Sequence, residues 1–359
     1  MNNSFNFDEI VPIPLYRKKD QIRFSKDFPL KLPPKDITQY SKPTHVSKSI
    51  REAREKKKSV VMLYGAHLIK NGLSNYLSDL IKKGWVTHIA TNGAGLIHDW
   101  ELAYCGKTSE NVEENIANGT FGTWDETGRV INRVATIAAS QGFGLGKYIG
   151  ALLYNDKLVY PRNTECLSYI HTYPQDPKIG FYSTMSTWDD SGRFEEPHLF
   201  SEMSVFYSAY SADIPATIHP GIGYDITHTT PHFNGAALGA CAETDFKTLC
   251  KSLNNLSDGG VILSVGSAIM APQVIEKAVS CVNNWGIYHE GVKPLKDFKI
   301  FIVDIQDGGG WDWSQGEPPK DHPAYYLRFC KSFYRISKDT HYIQQDNVEF
   351  MTRLYTDLH

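Results

Sequence analysis

No two of the six cysteines form a Cys-x-x-Cys pair; Cys105, Cys166, Cys241, Cys250, Cys281 and Cys330 are scattered through the 359 residues. That spacing argues against a disulfide framework and against a structural zinc site, and a reducing cytoplasm is the expected compartment. The chain also lacks a dominant sign of charge. Its 37 Lys and Arg against 40 Asp and Glu leave a net −3, so no global field draws it to nucleic acid or to an anionic membrane. No apolar run approaches the ~20 residues a helix needs to span a bilayer. The opening Met1-Asn2-Asn3-Ser4-Phe5 does not follow the charged-then-apolar plan of a signal peptide. Repeats of solenoid length are missing too. What remains is an ordinary hydrophobic content of 41%, in a chain long enough for one large α/β domain or two smaller ones.

Residues 1–45 alternate proline (Pro12, Pro14, Pro29, Pro33, Pro34, Pro43) with basic side chains and read as an extended arm. Residues 46–359 read as one catalytic domain. A charged helix, Ser47 to Lys58, leads into a strand, Val60 to Tyr64. A glycine turn follows, then an amphipathic helix through Leu73, Leu77, Leu80 and Ile81. Strand, turn and helix recur at Trp85 to Tyr104. The region from Asp156 to Pro197 reads as an irregular surface excursion. The rhythm then returns: strand Ile214 to His219, helix Asp245 to Leu256, strand Val261 to Val265, helix Gln273 to Asn284. Strand Lys299 to Ile305, helix Ala324 to Ile336, and a strand and helix from His341 to Leu358 complete it. Repeated βαβ units predict a doubly wound, mostly parallel, Rossmann-like sheet.

In such a sheet ligands lie outside the carboxyl ends of the strands. Small residues mark three such ends: Gly65-Ala66-His67, Thr91-Asn92-Gly93-Ala94-Gly95 and Ser264-Val265-Gly266-Ser267. None is a full Gly-x-Gly-x-x-Gly fingerprint. Gly142-Phe143-Gly144-Leu145-Gly146 follows a helical run and reads as a helix–helix turn. His219, Asp225, His228 and His232 fall in one segment, where imidazole and carboxylate suit zinc or iron. Without a helical His-x-x-x-His pair, hydrogen-bonded loop histidines are the better reading, and no metal is expected.

The densest chemistry lies in Asp307-Gly308-Gly309-Gly310-Trp311-Asp312-Trp313-Ser314-Gln315-Gly316-Glu317. Three successive glycines give packing nothing and leave the backbone open to a ligand. Carboxylates beside indoles suit a cationic amine. The alternative is an exposed acidic loop anchored by two tryptophans. Lys331 follows on an aromatic stretch. It is either a snorkelling surface lysine or, desolvated by Phe329 and Phe333, a Schiff-base nucleophile.

In their order along the chain, from about Ser59 onward, these segments resemble deoxyhypusine synthase. Tyr64 to Gly72 is similar to the family's Gly-Tyr-Thr-Ser-Asn-Leu-Ile-Ser-Ser-Gly, and Thr91 to Asp99 to its Thr-Thr-Ala-Gly-Gly-Val-Glu-Glu-Asp. Ile214 to Asp225 resembles its Ile-Pro-Val segment and the aspartate loop beyond. Phe301 to Ser314 resembles its Gln-Glu-Phe-Asp-Gly-Ser-Asp-Ser-Gly loop, with Gln306 on the glutamine. Pro323 precedes Lys331 at the family's interval from proline to catalytic lysine, and Tyr342 to Phe350 resembles its last cofactor block. Three features depart from the pattern. His98 replaces a substrate-binding glutamate, no histidine stands near Ala271-Pro272-Gln273, and Phe329-Cys330 replaces the tryptophan before the lysine.

The resemblance implies NAD held by Ala66, His67, Leu68, Thr91, Asn92, Gly93, Gly266, Asp304, Ile305 and Asp346. It implies a small-molecule amine, polyamine or spermidine-like, bound by His98, Asp225, Asp312, Trp313 and Glu317. Lys331 would carry an alkylamine group as an imine to an acceptor, which is left open between protein and small molecule. A homotetramer is implied as well. The competing expectations are an NAD-dependent oxidoreductase or lyase on another amino compound, or a silent oligomer that binds NAD or polyamine.

Overall fold

The computed structural model describes residues 7–19, 22–23, 44–189 and 191–359. Much of the predicted arm, residues 1–6, 20–21 and 24–43, lies outside the described residues. Six strands form one parallel sheet: β1 (Val60–Tyr64), β2 (His88–Thr91), β3 (Ala216–Ile218), β4 (Val261–Val265), β5 (Lys299–Asp304) and β6 (Thr340–Gln344). Their spatial order is β6-β5-β4-β1-β2-β3. This is the doubly wound order, in which the winding reverses between β1 and β4 and opens a crevice there.

Every residue of β1 and β4 is buried, as a parallel sheet covered on both faces requires. Side chains alternate between two apolar layers. Val60, Met62, Tyr64, Leu263, Val265, Phe301 and Val303 enter one; Val61, Leu63, Ile262, Ile300 and Ile302 enter the other. The helices that cover the sheet are α1 (His45–Glu55), α2 (Ala66–Lys70), α3 (Ser74–Lys82) and α4 (Gly93–Cys105). Between β2 and β3 the chain continues as α5 (Val112–Ala117), α6 (Asp125–Gln141), α7 (Leu145–Asn155), α8 (Asn163–Thr172), α9 (Ile179–Met185) and α10 (Val205–Ser211). Then come α11 (Gly235–Leu253), α12 (Met270–Glu290), α13 (Arg328–Tyr334) and α14 (Asn347–Leu358). Among the described residues no helix is long and apolar enough to cross a membrane.

Local chemistry explains several boundaries. Thr44 caps α1 by accepting from the Ser47 amide, Asn92 caps α4 through Gly95, and Asp346 caps α14 through Val348. Gly142, at φ +77°, ends α6, and the predicted helix–helix turn follows. The Asp156 to Pro197 region is more ordered than its composition suggests. It carries α8 and α9, pinned by Tyr169 stacked on Tyr182 with centroids 3.8 Å apart. Helix α11 begins ten residues before the predicted Asp245, because Asn234 supplies an N-cap by accepting from the Ala237 amide. The described pieces of the N-terminal segment pack on this same chain. The Ile13 amide donates to the Thr123 carbonyl at 2.7 Å, and Ile22–Arg23 pairs antiparallel with Lys107–Thr108.

Candidate functional site

Among the described residues, two hollows at the carboxyl end of the sheet concern the site. The first, about 300 Å³, is lined by His67 and Asn71 after β1, Gly266 and Ala268 after β4, Val303 to Gln306 at the end of β5, and Gln345 to Asn347 after β6. It lies at the crevice that the strand order predicts. The loops after β1 and β4 meet here closely: a Cβ on Gly65 would fall 2.0 Å from the Gly266 carbonyl oxygen. The Gly65 amide donates to the Val265 carbonyl at 3.1 Å, and the Gly266 amide to that of Val303 at 2.8 Å. Asp304, largely buried, accepts from the Gln306 amide at 3.1 Å. Asn71 donates to Asn347 at 2.8 Å, which ties α2 to the start of α14.

The cleft thus gathers His67, Gly266, Asp304, Ile305 and Asp346 from the set read as nucleotide contacts. The others do not line it. Leu68 is core. The Thr91 side chain is fully buried and donates to the Tyr64 carbonyl at 2.9 Å, and Asn92 is engaged in capping α4. Gly93 is hemmed in by protein: a Cβ there would fall 2.4 Å from the Asp225 carboxylate.

The second hollow, about 190 Å³, lies beside α4 and is lined by Lys18, Lys70, His98, Glu110, Tyr224 and Asp225 among others. It brings together His98 and Asp225, two residues read as substrate contacts. Asp225 accepts from the Gly221 amide at 2.9 Å, yet burial pushes its carboxyl up to about 6. Burial also lowers His98 to about 4, with Glu101 opposing and Lys70, Lys18 and His67 adding to the effect. Beneath the hollow the Lys18 ammonium donates to both oxygens of Glu101, each at 2.8 Å. Lys18, Lys70, Glu101, Thr108 and Glu110 escape a motif reading, having no spacing signature. The one signal in the sequence is a pair of acids, Asp99 and Glu101, inside an otherwise apolar helix.

The acidic glycine loop closes on itself. Trp313 is buried and donates its indole N–H to the Gly308 carbonyl at 2.9 Å, and Trp311 donates to that of Gly316 at 2.9 Å. Gly309 and Gly310 take φ of +72° and +68°, so the glycines serve the turn itself. Asp312 accepts from Ser314 and Gln315, and these bonds hold its carboxyl below the ordinary range. Glu317 accepts from Arg335 at 2.8 Å. Lys331 is buried with its ammonium 3.6 Å from the centre of the Tyr325 ring. Asp312, Trp313, Glu317 and Lys331 line neither of these two hollows.

Among the described residues no group of three or more His, Cys, Asp or Glu is placed to hold a metal ion. His219 and His88 instead share Thr217, at 3.1 and 2.9 Å.

No family model matches the chain, and no curated protein does. Among solved structures it is similar to AgrE in ternary complex with ornithine and NAD+, at 16% identity over 88% of this chain and 32% of that one, with TM-score 0.42. It is similar at the same identity, coverage and TM-score to apo ArgZ, an arginine dihydrolase from the ornithine–ammonia cycle in Cyanobacteria. A putative LOR/SDH protein from Methanococcus maripaludis S2 follows at 14% identity, 89% of this chain and 68% of that one, TM-score 0.41. The chain spans about a third of the length of AgrE and ArgZ. At these scores the likenesses carry no conclusion about activity. The resemblance to deoxyhypusine synthase drawn from sequence is corrected by the family comparison, in which no model matches the chain, and none of the structures named is a deoxyhypusine synthase. The reason is physical. Short glycine turns at the carboxyl ends of strands, met in order along the chain, recur wherever a parallel sheet is doubly wound.

Proposed function

We propose that this chain is an NAD-dependent oxidoreductase or lyase that acts on a small amino compound. The observation that carries the reading is the pairing of a crevice at the reversal of strand order with a charged hollow beside it.

The donor set of the crevice suits a dinucleotide. Asp304 and Asp346 offer acceptors for ribose hydroxyls, Gln306, Gln345 and Asn71 offer amides, and Ala268, Val303 and Ile305 offer apolar surface for a base. Among the described residues no Lys or Arg lines it, so a pyrophosphate would rely on backbone N–H groups. Helix α12 starts just past Ala268; the Ala271 amide already donates to the Ser267 hydroxyl at 3.3 Å, but the N-cap residue Ile269 gives no side-chain cap. When bound, the nicotinamide would supply a hydride acceptor or donor. The second hollow suits the amino compound, because Asp225 and Glu110 attract an ammonium group and Lys70 makes no ion pair among the described residues.

The test is titration of the full chain with NAD+ and NADH, followed by quenching of tryptophan fluorescence. Saturable binding, weakened about tenfold or more in Asp304→Ala by loss of a charged hydrogen bond, is expected. No binding at millimolar nucleotide would overturn the proposal.

A further inference from the structure

Helix α4 presents His98 to the second hollow, and the hydrogen bonds behind the ring decide what it can recognise. Glu101, paired with the Lys18 ammonium, can only accept. The Thr108 hydroxyl therefore donates its single proton to Glu101 Oε2, at 2.7 Å. The same hydroxyl lies 2.6 Å from His98 Nδ1 and, with its proton committed, must accept there. His98 is thereby held as the Nδ1–H tautomer. Its Nε2 has no hydrogen-bond partner among the described residues.

We infer that His98 is the specificity-determining residue for the amino compound: its Nε2 is a fixed acceptor that takes an N–H of the ligand's ammonium group. The inference rests on the proposed function and deepens it. A ring pinned in this way rejects a carboxylate or carbonyl at the same position, since both would face its lone pair. Asp225 and Glu110 supply the negative charge around the cation, and Lys70 stands available for an acidic group elsewhere on the ligand. A charged imidazole would repel the ammonium. Burial, Lys70, Lys18 and His67 together oppose that charge and outweigh Glu101, which favours it. Thr108 and Glu101 act through His98 and are positioning residues.

The test uses the full chain with isotope-labelled histidine and reads the His98 ring nitrogens by long-range proton–nitrogen correlation. The Nδ1–H tautomer is expected throughout roughly pH 5 to 8, where a free histidine would titrate. L-Ornithine and 1,4-diaminobutane, used as probes, should shift the Nε2 resonance, and glutarate should not. His98→Ala should weaken binding of the amine probes by about tenfold to a hundredfold, as loss of a charged hydrogen bond predicts, with NAD+ affinity unchanged. Thr108→Val should mix the tautomers and lower amine affinity; Thr108→Ser should restore both. An Nε2–H tautomer in the unaltered protein, or amine probes that leave Nε2 unmoved, would overturn the inference. If NAD+ binds while Nε2 stays silent, this inference alone fails. If Nε2 responds while NAD+ does not bind, the nucleotide reading fails and the ammonium site stands.

Discussion

Lys18, from the N-terminal segment, reaches across 83 positions of sequence to place its ammonium 2.8 Å from both carboxylate oxygens of Glu101. Both side chains are almost wholly withdrawn from solvent. Thr108 and Thr127 add hydroxyl donors at 2.7 and 2.9 Å, so the carboxylate is fully satisfied. A buried pair of this kind contributes less than its breakage costs, because removal of one partner strands the other. Lys18→Met is therefore expected to lower unfolding free energy by roughly 3–5 kcal/mol. The double variant Lys18→Met, Glu101→Met should recover part of that loss. Urea denaturation of the unaltered protein, of Lys18→Met and Glu101→Met alone, and of the double variant measures the coupling; a Lys18→Met cost within experimental error would mean that the segment is not docked in solution.

Gly65 is small because of space, not conformation. Its φ of −92° suits any residue, but a methyl group would lie 2.0 Å from the Gly266 carbonyl oxygen. Gly65→Ala should push the loops after β1 and β4 apart at the nucleotide crevice. The expected cost is about 1–3 kcal/mol of stability, together with a clear loss of NAD+ affinity by calorimetry. Retention of both would show that the crevice tolerates the wider spacing and is not built around a close-fitting ligand.

Asp225 couples binding and stability to pH in opposite directions. Burial raises its carboxyl to about 6, so the charge that attracts an ammonium ligand appears as pH rises through that value. Affinity for an amine probe should rise across the same interval. Ligand-free stability runs the other way. A folded-state value above the unfolded one stabilises most below the unfolded value, 3.8, and that contribution is lost as pH rises through about 6. Asp225→Asn should flatten both curves. Parallel slopes in the variant and the unaltered protein would assign the titration to another group.

Lys331 is expected to stabilise rather than react. Its ammonium sits on the Tyr325 face at 3.6 Å from the centroid, an arrangement worth about 0.5–2 kcal/mol. Lys331→Met should cost stability of that order while leaving nucleotide and amine affinities intact. Borohydride treatment with an amine and NAD+ should label no peptide that contains Lys331. A trapped adduct there, read by mass spectrometry, would contradict this placement.

Several features are legible in the sequence. The apolar strands Val60–Tyr64, Val261–Val265 and Lys299–Asp304 stand out because a parallel sheet buried on both faces needs uninterrupted hydrophobic runs. Alternation of those runs with glycine turns and helices was enough for the doubly wound class, and so for the end of the sheet where a ligand would lie. His67 and Gly266 stand at strand ends that the pattern marks, whereas Asp304, Ile305 and Asp346 were implied only by the family resemblance; all five line the crevice.

The tertiary structure decided the rest. Composition made the loop from Asp307 to Glu317 look like a binding loop, but whether indoles and carboxylates face a ligand or one another depends on backbone torsion. Here positive φ at Gly309 and Gly310 turns Trp313 inward. The second hollow had no spacing motif of its own. It joins Lys18 from the N-terminal segment, Lys70 from α2, His98 from α4 and Asp225 from the loop after β3. Spacing along the chain encodes periodicity within an element. Contact between side chains that far apart in sequence is set only when the elements pack, and the hydrogen bonds that fix the His98 tautomer exist only then.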